Sequence, residues 1–123
     1  MPKSNIHVEL EEYKIDTIDK LVALAIKKHG DRKCLGAREV RGVYEVEDDF
    51  GKPLKKYDLG EYKWLTYSEV GAEAEKLCRG LSALGLKPRD RIGVFAETRA
   101  EWMLTAMAAF KLNLQGKLIL YGC

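Results

Sequence analysis

The sequence predicts an α/β fold: an antiparallel hairpin, then a helix, then one βαβ unit of a parallel sheet, together an incomplete portion of a larger domain. Three observations carry this. Strand-forming residues flank a turn at Asp48-Asp49-Phe50-Gly51. A capping box at Thr66–Glu69 precedes the helical stripe Val70, Ala74, Leu77, Leu81, Leu84. Short apolar runs, Ile92–Phe95 and Leu118–Tyr121, stand on either side of a second helical stretch.

Residues 1–15 are polar with little pattern and read as an extended lead-in; residues 16–123 read as one partial subdomain. The first helix follows. Asp16 or Thr17 caps it, and Ile18, Leu21, Val22, Ala25 and Ile26 share one face. Lys27, Lys28 and His29 suit its C-terminal end, and Gly30 suits the C′ position beyond it.

The period then changes. Val43, Tyr44 and Val46 lead into the Asp48–Gly51 turn, and Leu54–Tyr57 form a return strand. Tyr62–Leu65 reads as a separate short strand. In the capping box, the Thr66 hydroxyl accepts the Glu69 amide and the Glu69 carboxylate reaches back to the Thr66 amide. Gly85 ends this helix, Leu86 supplies the contact of a Schellman ending, and Pro88 prevents resumption. Arg91–Phe95 reads as a buried strand. Thr98–Glu101 is a second capping box, and Trp102, Ala106, Ala109 and Phe110 lie near one face of the helix, with Met103 and Met107 beside them. Asn113 stops it, and Leu118–Tyr121 is the last strand.

Composition excludes several classes. With 123 residues there is room for one small core. Hydrophobic residues make up 46% and charged residues 33%, a globular balance. Net charge is +2, from 21 basic and 19 acidic residues, so no nucleic-acid footprint follows. The runs Glu45–Asp49 and Lys52–Lys56 read as solvated turn flanks. Cys34, Cys78 and Cys123 are odd in number and widely spaced, and His7 and His29 lie at no metal-ligand spacing to them. Free thiols in a reducing, intracellular compartment are the expectation, with a cytosolic location for this chain. No secretory signal, lipid-anchor motif or membrane-length apolar run is visible.

The sharpest question is FAETRAEWM, Phe95–Met103. Glu97 to Arg99 would lie beyond the carboxyl end of a strand and at a helix N-terminus, where α/β sheets bind ligands and helices attract anions. Arg99 could hold a phosphate or carboxylate. The structural reading explains the same residues: Thr98 and Glu101 satisfy the first amides, and Trp102 begins the buried face. No nucleophile–base pair is visible. GLSALG, Gly80–Gly85, lacks the spacing of a nucleophile elbow, and Ser82 sits inside a helix. No phosphate-binding glycine loop occurs. Glu11-Glu12 and Asp48-Asp49 are adjacent pairs whose side chains diverge. The aromatics Tyr57, Tyr62, Trp64 and Tyr67 read as core or sheet packing rather than a base-stacking platform. The residues alone give no reaction centre.

A resemblance adds to this. DTIDKL at 16–21, LGAREV at 35–40, YKWLTYSEV at 62–70, GLSALGLKPRDRIGVFAETRAEWM at 80–103 and FKLN at 110–113 resemble the N-terminal part of adenylate-forming enzymes, in particular the long-chain fatty acid–CoA ligases (acyl-CoA synthetases). The resemblance covers residues 10–113 and implies the opening of the large AMP-binding domain. It implies a parent reaction in which fatty acid, ATP and CoA become acyl-CoA, AMP and pyrophosphate through an acyl-adenylate, with Mg²⁺ required. The family's Ser/Thr/Gly-rich phosphate loop ending in Pro-Lys-Gly has no match here, nor do its adenine- and ribose-binding motifs or its C-terminal lysine. No catalytic, cofactor-binding or metal residue is therefore carried over, and Glu97, Thr98, Arg99, Glu101 and Trp102 are assigned to scaffolding. Where the family continues into more domain, this chain reads LQGKLILYGC, so a truncated gene model, a splice product and an excerpt are all open. The expectation is a ligase fragment inactive alone; a non-catalytic interaction module, self-associating through open sheet edges, and a non-functional truncated product are the alternatives. The resemblance also implies a parent of a kind often attached to endoplasmic reticulum, mitochondrial or peroxisomal membranes.

Overall fold

A computed structural model of the chain describes residues 10–96 and 99–120. Helix α1 spans Ile18–His29, strands β1 and β2 span Lys33–Glu47 and Pro53–Thr66, helix α2 spans Tyr67–Ala83, strand β3 spans Arg91–Ala96, helix α3 spans Ala100–Lys111, and strand β4 spans Gln115–Leu120. β1 and β2 form an antiparallel two-stranded sheet; β3 and β4 form a separate parallel one, with α3 as the crossover. The helices pack on one another, and α3 also lies on β3 and β4. This is the hairpin, helix and βαβ order the sequence predicts.

Several expectations need correction. Leu10–Glu12 close a helical turn, with the Ile15 amide donating to the Leu10 carbonyl, so this part of the lead-in is not extended. Leu54–Tyr57 and Tyr62–Leu65 are one strand. Between them the strand continues through Asp58, paired with Gly42, and Leu59, paired with Val40, with register shifts on either side of Val40. The Arg38 guanidinium donates to the Leu59 and Gly60 carbonyls, each at 2.8 Å, and satisfies the irregular stretch. Gly30 is the C-cap of α1 in a right-handed conformation, not a left-handed C′ residue. Its lack of a side chain serves contact instead: a Cβ there would meet Ser68 Oγ at 2.8 Å. That closeness lets the Gly30 and Arg32 carbonyls accept the Ser68 and Tyr67 amides, two donors the first turn of α2 cannot pair internally.

Local chemistry explains the helix ends. Thr17 caps α1 by accepting the Lys20 amide. At the start of α2, the Glu69 amide donates to Thr66 Oγ1 at 3.2 Å and the Thr66 amide donates to Glu69 Oε2 at 2.8 Å, so both halves of the capping box form. At its end the Leu86 amide donates to the Leu81 carbonyl and the Gly85 amide to the Ser82 carbonyl, a Schellman motif with Gly85 at φ 91°. Helix α3 ends in the same way: Leu114 donates to Ala109 and Asn113 to Phe110, with Asn113 at φ 54°. In the hairpin turn, Asp48 Oδ1 accepts the Phe50 and Lys52 amides.

The capping box yields a first prediction. Thr66→Ala should lower stability by about 1 kcal/mol in denaturant titration. The Thr66 amide and then the Thr66 hydroxyl hold the Glu69 carboxyl below its ordinary value of 4.5. A depressed carboxyl adds stability above its unfolded value and loses it as pH falls through the folded one. Glu69→Gln should therefore reduce the loss of stability below about pH 4.5, and an unchanged acid profile would contradict this role.

The core is small and lies between helices. Val70, Ala74, Cys78, Ala106, Ala108, Ala109 and Leu114 are the buried apolar residues among those described. The expected stripe on α2 is right at Val70 and Ala74, but Leu77 and Leu81 are only half-buried and Leu84 is 79% exposed. Phe95 is 67% exposed, and β3 alternates rather than being buried on both faces, because α3 covers only one side of the β3–β4 pair. Ile18 and Leu21 on α1 and Met103 and Phe110 on α3 are likewise exposed.

Candidate functional site

The start of α3, beyond β3, is the position the sequence singles out. Glu97 and Thr98 lie outside the described residues. The helix begins one residue later than the second capping box predicts: Arg99 is the N-cap and makes no side-chain cap bond. Glu101 lies in the first turn of the helix. Arg99 Nε and Nη2 donate to its two carboxylate oxygens, each at 2.8 Å. This two-pronged grip, with the backbone amide of Glu101 second, holds the Glu101 carboxyl below its ordinary value. Both side chains are largely exposed, so the pair adds little to stability. Its chemical effect is to occupy the guanidinium with an internal carboxylate. Trp102 Nε1 is buried without a hydrogen-bond partner among the described residues, and the Thr105 hydroxyl donates to the Glu101 carbonyl. Among the described residues of this arrangement, the one hydroxyl, that of Thr105, is spent on a backbone carbonyl.

A second cluster joins the helices. Lys111 Nζ lies 2.8 Å from Glu75 Oε2, linking α3 to α2, and Arg79 approaches Glu75 Oε1 at 3.5 Å. The lysine's hydrogen bond is the main reason the Glu75 carboxyl sits below its ordinary value, and the same bond raises Lys111. Sequence reasoning missed this pair, since only the local Glu75–Arg79 spacing is visible in the chain. Burial pushes the neighbouring Cys78 thiol up, away from the reactive thiolate, and it raises Cys34 as well. Both are free cysteines; Cys123 lies outside the described residues.

Cavities set the limits. About 50 Å³ lies between the helices at Val22, Ile26, Gly71, Ala74 and Met107, and about 60 Å³ lies between α3 and the sheet at Val94, Ala106, Ala109 and Gly116. These have room for a few waters, not a nucleotide. A shallow groove of about 470 Å³ runs along Thr17, Asp19, Phe110, Lys111 and Asn113. Its lysine is held by Glu75 and its threonine by the Lys20 amide, so no convergent anion site forms. Among the described residues, no three His, Cys, Asp or Glu side chains are placed to hold a metal. Among the described residues, none of these clusters or cavities is arranged to hold a magnesium–nucleotide complex.

The aromatics are not core. Tyr57, Tyr62 and Trp64 are exposed on the hairpin; Tyr62 and Trp64 stack at 5.4 Å, and the Trp64 ring lies across Gly36. Arg38 sits over Tyr62 and Lys33 over Trp64. Tyr67 instead tilts against His29 at the junction of α1 and α2. Ser82 is helical and exposed, and Asp48 serves the turn.

The sequence model for AMP-binding enzymes matches residues 44–115. The chain is 33% identical over 101 residues to Fatty acyl-CoA synthetase B of Dictyostelium discoideum, an alignment covering 82% of this chain and 13% of that protein. It is 32% identical over 98 residues to Long chain acyl-CoA synthetase 8 of Arabidopsis thaliana, covering 80% of this chain and 14% of that one. Among solved structures, the adenylation domain of a carboxylic acid reductase from Segniliparus rugosus, in complex with AMP and a co-purified carboxylic acid, superposes with a TM-score of 0.67 at 15% identity, over 92% of this chain and 18% of that chain. The NpsA N-terminal subdomain of Klebsiella oxytoca gives 0.62 at 14% identity, over 87% of this chain and 22% of that chain. These structural likenesses bear on fold. The chain spans about one seventh of the length of the two curated relatives.

Proposed function

The chain belongs to the AMP-binding enzyme family, and from that membership we propose that it is part of a long-chain fatty acid–CoA ligase and does not catalyse by itself. The similarity to acyl-CoA synthetases carries the first half of this reading. The parent would join fatty acid, ATP and CoA, with Mg²⁺, to give acyl-CoA, AMP and pyrophosphate. The second half rests on chemistry. Arg99 is engaged by Glu101 and Lys111 by Glu75, and the 123 residues contain no phosphate-binding glycine loop. Among the described residues no group is arranged to hold a triphosphate against a carboxylate. On this reading the segment scaffolds the domain, and its location follows the parent: cytosolic as this chain, with membranes of the endoplasmic reticulum, mitochondria or peroxisomes open to the parent. Among the described residues no helix is long and apolar enough to cross a membrane.

The test is palmitate-dependent ATP–pyrophosphate exchange by the purified 123-residue chain. The expected rate equals that of a denatured control. A rate clearly above it would overturn the proposal.

The second reading, a non-catalytic interaction module, is favoured by one observation. Both sheets have two strands among the described residues, so four strand edges are unpaired, and the hairpin exposes Val40, Val43, Tyr44, Leu54 and Tyr57.

A further inference from the structure

We propose that the β1–β2 ribbon is a two-register element: Arg38 latches it in a stepped ladder, and release of that latch lets the strands pair evenly through Val40 and Gly60. The ribbon carries this device whatever the parent's reaction.

The ladder keeps one register from Leu35–Leu65 to Arg38–Tyr62, and the same register again from Gly42–Asp58 to Glu47–Pro53. Continued evenly between these stretches, it would pair Glu39 with Glu61, Val40 with Gly60 and Arg41 with Leu59. Instead Val40 pairs with Leu59, and the shift on one side of Val40 is undone on the other. Two compensating irregularities of this kind leave the turn and the base of the ribbon where an even ladder would have them. The two registers therefore share every pair outside residues 39–41 and 59–61. Exchange between them needs no unthreading of the hairpin and no change at the Asp48 turn.

Two features hold the step. The first is the Arg38 fork: Nε donates to the Gly60 carbonyl and Nη2 to the Leu59 carbonyl, with the guanidinium 5.6 Å from the centre of the Tyr62 ring. Facing residues of an antiparallel pair alternate between bonded and unbonded, so an even ladder would return one of these carbonyls to a β1 amide and break the fork. Arg41 also lies against the step, 2.7 Å from where a Cβ on Gly60 would stand, and Gly60 is buried between exposed Leu59 and Glu61. The second feature is charge. An even ladder sets the Glu39 and Glu61 carboxylates directly opposite one another, an unfavourable pair. Lys63 and Arg41 would flank them only on the diagonals, at longer range, so this term is present but the smaller of the two. In the stepped ladder Glu39 has Lys63 at 3.7 Å instead. The register thus decides whether the Arg38 fork is spent on the backbone or presented to solvent.

Cross-strand nuclear Overhauser contacts in the isotope-labelled 123-residue chain test this. The native chain should show Val40 against Leu59. Arg38→Gln keeps a polar side chain but loses the charged fork, and should raise the ratio of Val40–Gly60 to Val40–Leu59 pairing about tenfold. Arg38→Lys, which keeps the charge without the fork, should fall between. Glu61→Lys turns a repulsive facing pair into an attractive one and should raise the same ratio about threefold, adding to Arg38→Gln in the double variant. Glu47→Lys, opposite Pro53 in the regular part of the ladder, is the control and should leave the step in place. A double variant that still holds Val40 against Leu59 alone would overturn the proposal, and so would an even ladder already dominant in the native chain. Should the arginine variants lose their helices by circular dichroism, Glu61→Lys is read alone, and an unchanged ratio in it would overturn the proposal.

Discussion

Val70→Asp should remove most of the helical dichroism of this chain at neutral pH. Val70 is 1% exposed, the largest side chain among the described residues to be fully enclosed, and it sits one residue past the capping box, where α2 leaves the hairpin. None of the described buried residues is polar or charged, so an aspartate there finds no ready partner. An unpaired buried carboxylate costs about 3–5 kcal/mol, a large part of the stability of a small domain. The sign with pH follows. Burial raises the aspartate's folded-state value, so the penalty is full at neutral pH and falls as pH drops toward and below the ordinary aspartate value of about 3.9. Val70→Ala separates charge from volume: it should cost about 2 kcal/mol at any pH, the loss of two methyl groups and a small cavity. Equal effects of the two substitutions in denaturant titration would show that the site is not enclosed.

Ala108→Leu is expected to be the second most damaging change. Ala108 is 0% exposed, and Ala106 and Ala109 beside it are also buried, so α3 meets its neighbours through methyl groups. The cavities nearby are about 50 and 60 Å³ and are lined by other residues of α3, so they offer a new isobutyl group at position 108 no ready space. Overpacking should cost about 1–3 kcal/mol, although leucine is nearly as good a helix former as alanine. Ala72→Leu, on an exposed position of α2, is the matched control and should change stability by less than about 0.5 kcal/mol. If both leucines behave alike in thermal melts, close packing around α3 is not what limits the fold.

What could be read in advance follows from the range of each interaction. Caps and turns are written within four or five residues, so Thr17, the Thr66–Glu69 box, Asp48 and the endings at Gly85 and Asn113 are legible. Order of elements and the parallel pairing of β3 with β4 are legible for the same reason, because a single helix separates two apolar runs. Burial was not. A periodic stripe shows which face can be covered and not whether anything covers it, and so Leu84, Phe95 and Tyr62 emerge at the surface. The merging of two short strands into β2 depended on Arg38 capping carbonyls more than twenty positions away. At the candidate site, the proximity of Arg99 and Glu101 was visible, but the two-pronged bond between them was not. The Glu75–Lys111 bridge had no local signal at all.

The hairpin has a dynamic consequence. Its base is anchored where Leu35 and Leu65 are half-buried near the helices, while its outer part is held only strand to strand around an Asp48 turn. Two strands alone are marginal in water. Amides from about Val43 to Tyr57 therefore open in a local excursion that leaves α2 and α3 folded, and hydrogen exchange in the ribbon measures the free energy of peeling, not that of unfolding the chain. The outer ribbon and the helical core are two cooperative units on one backbone.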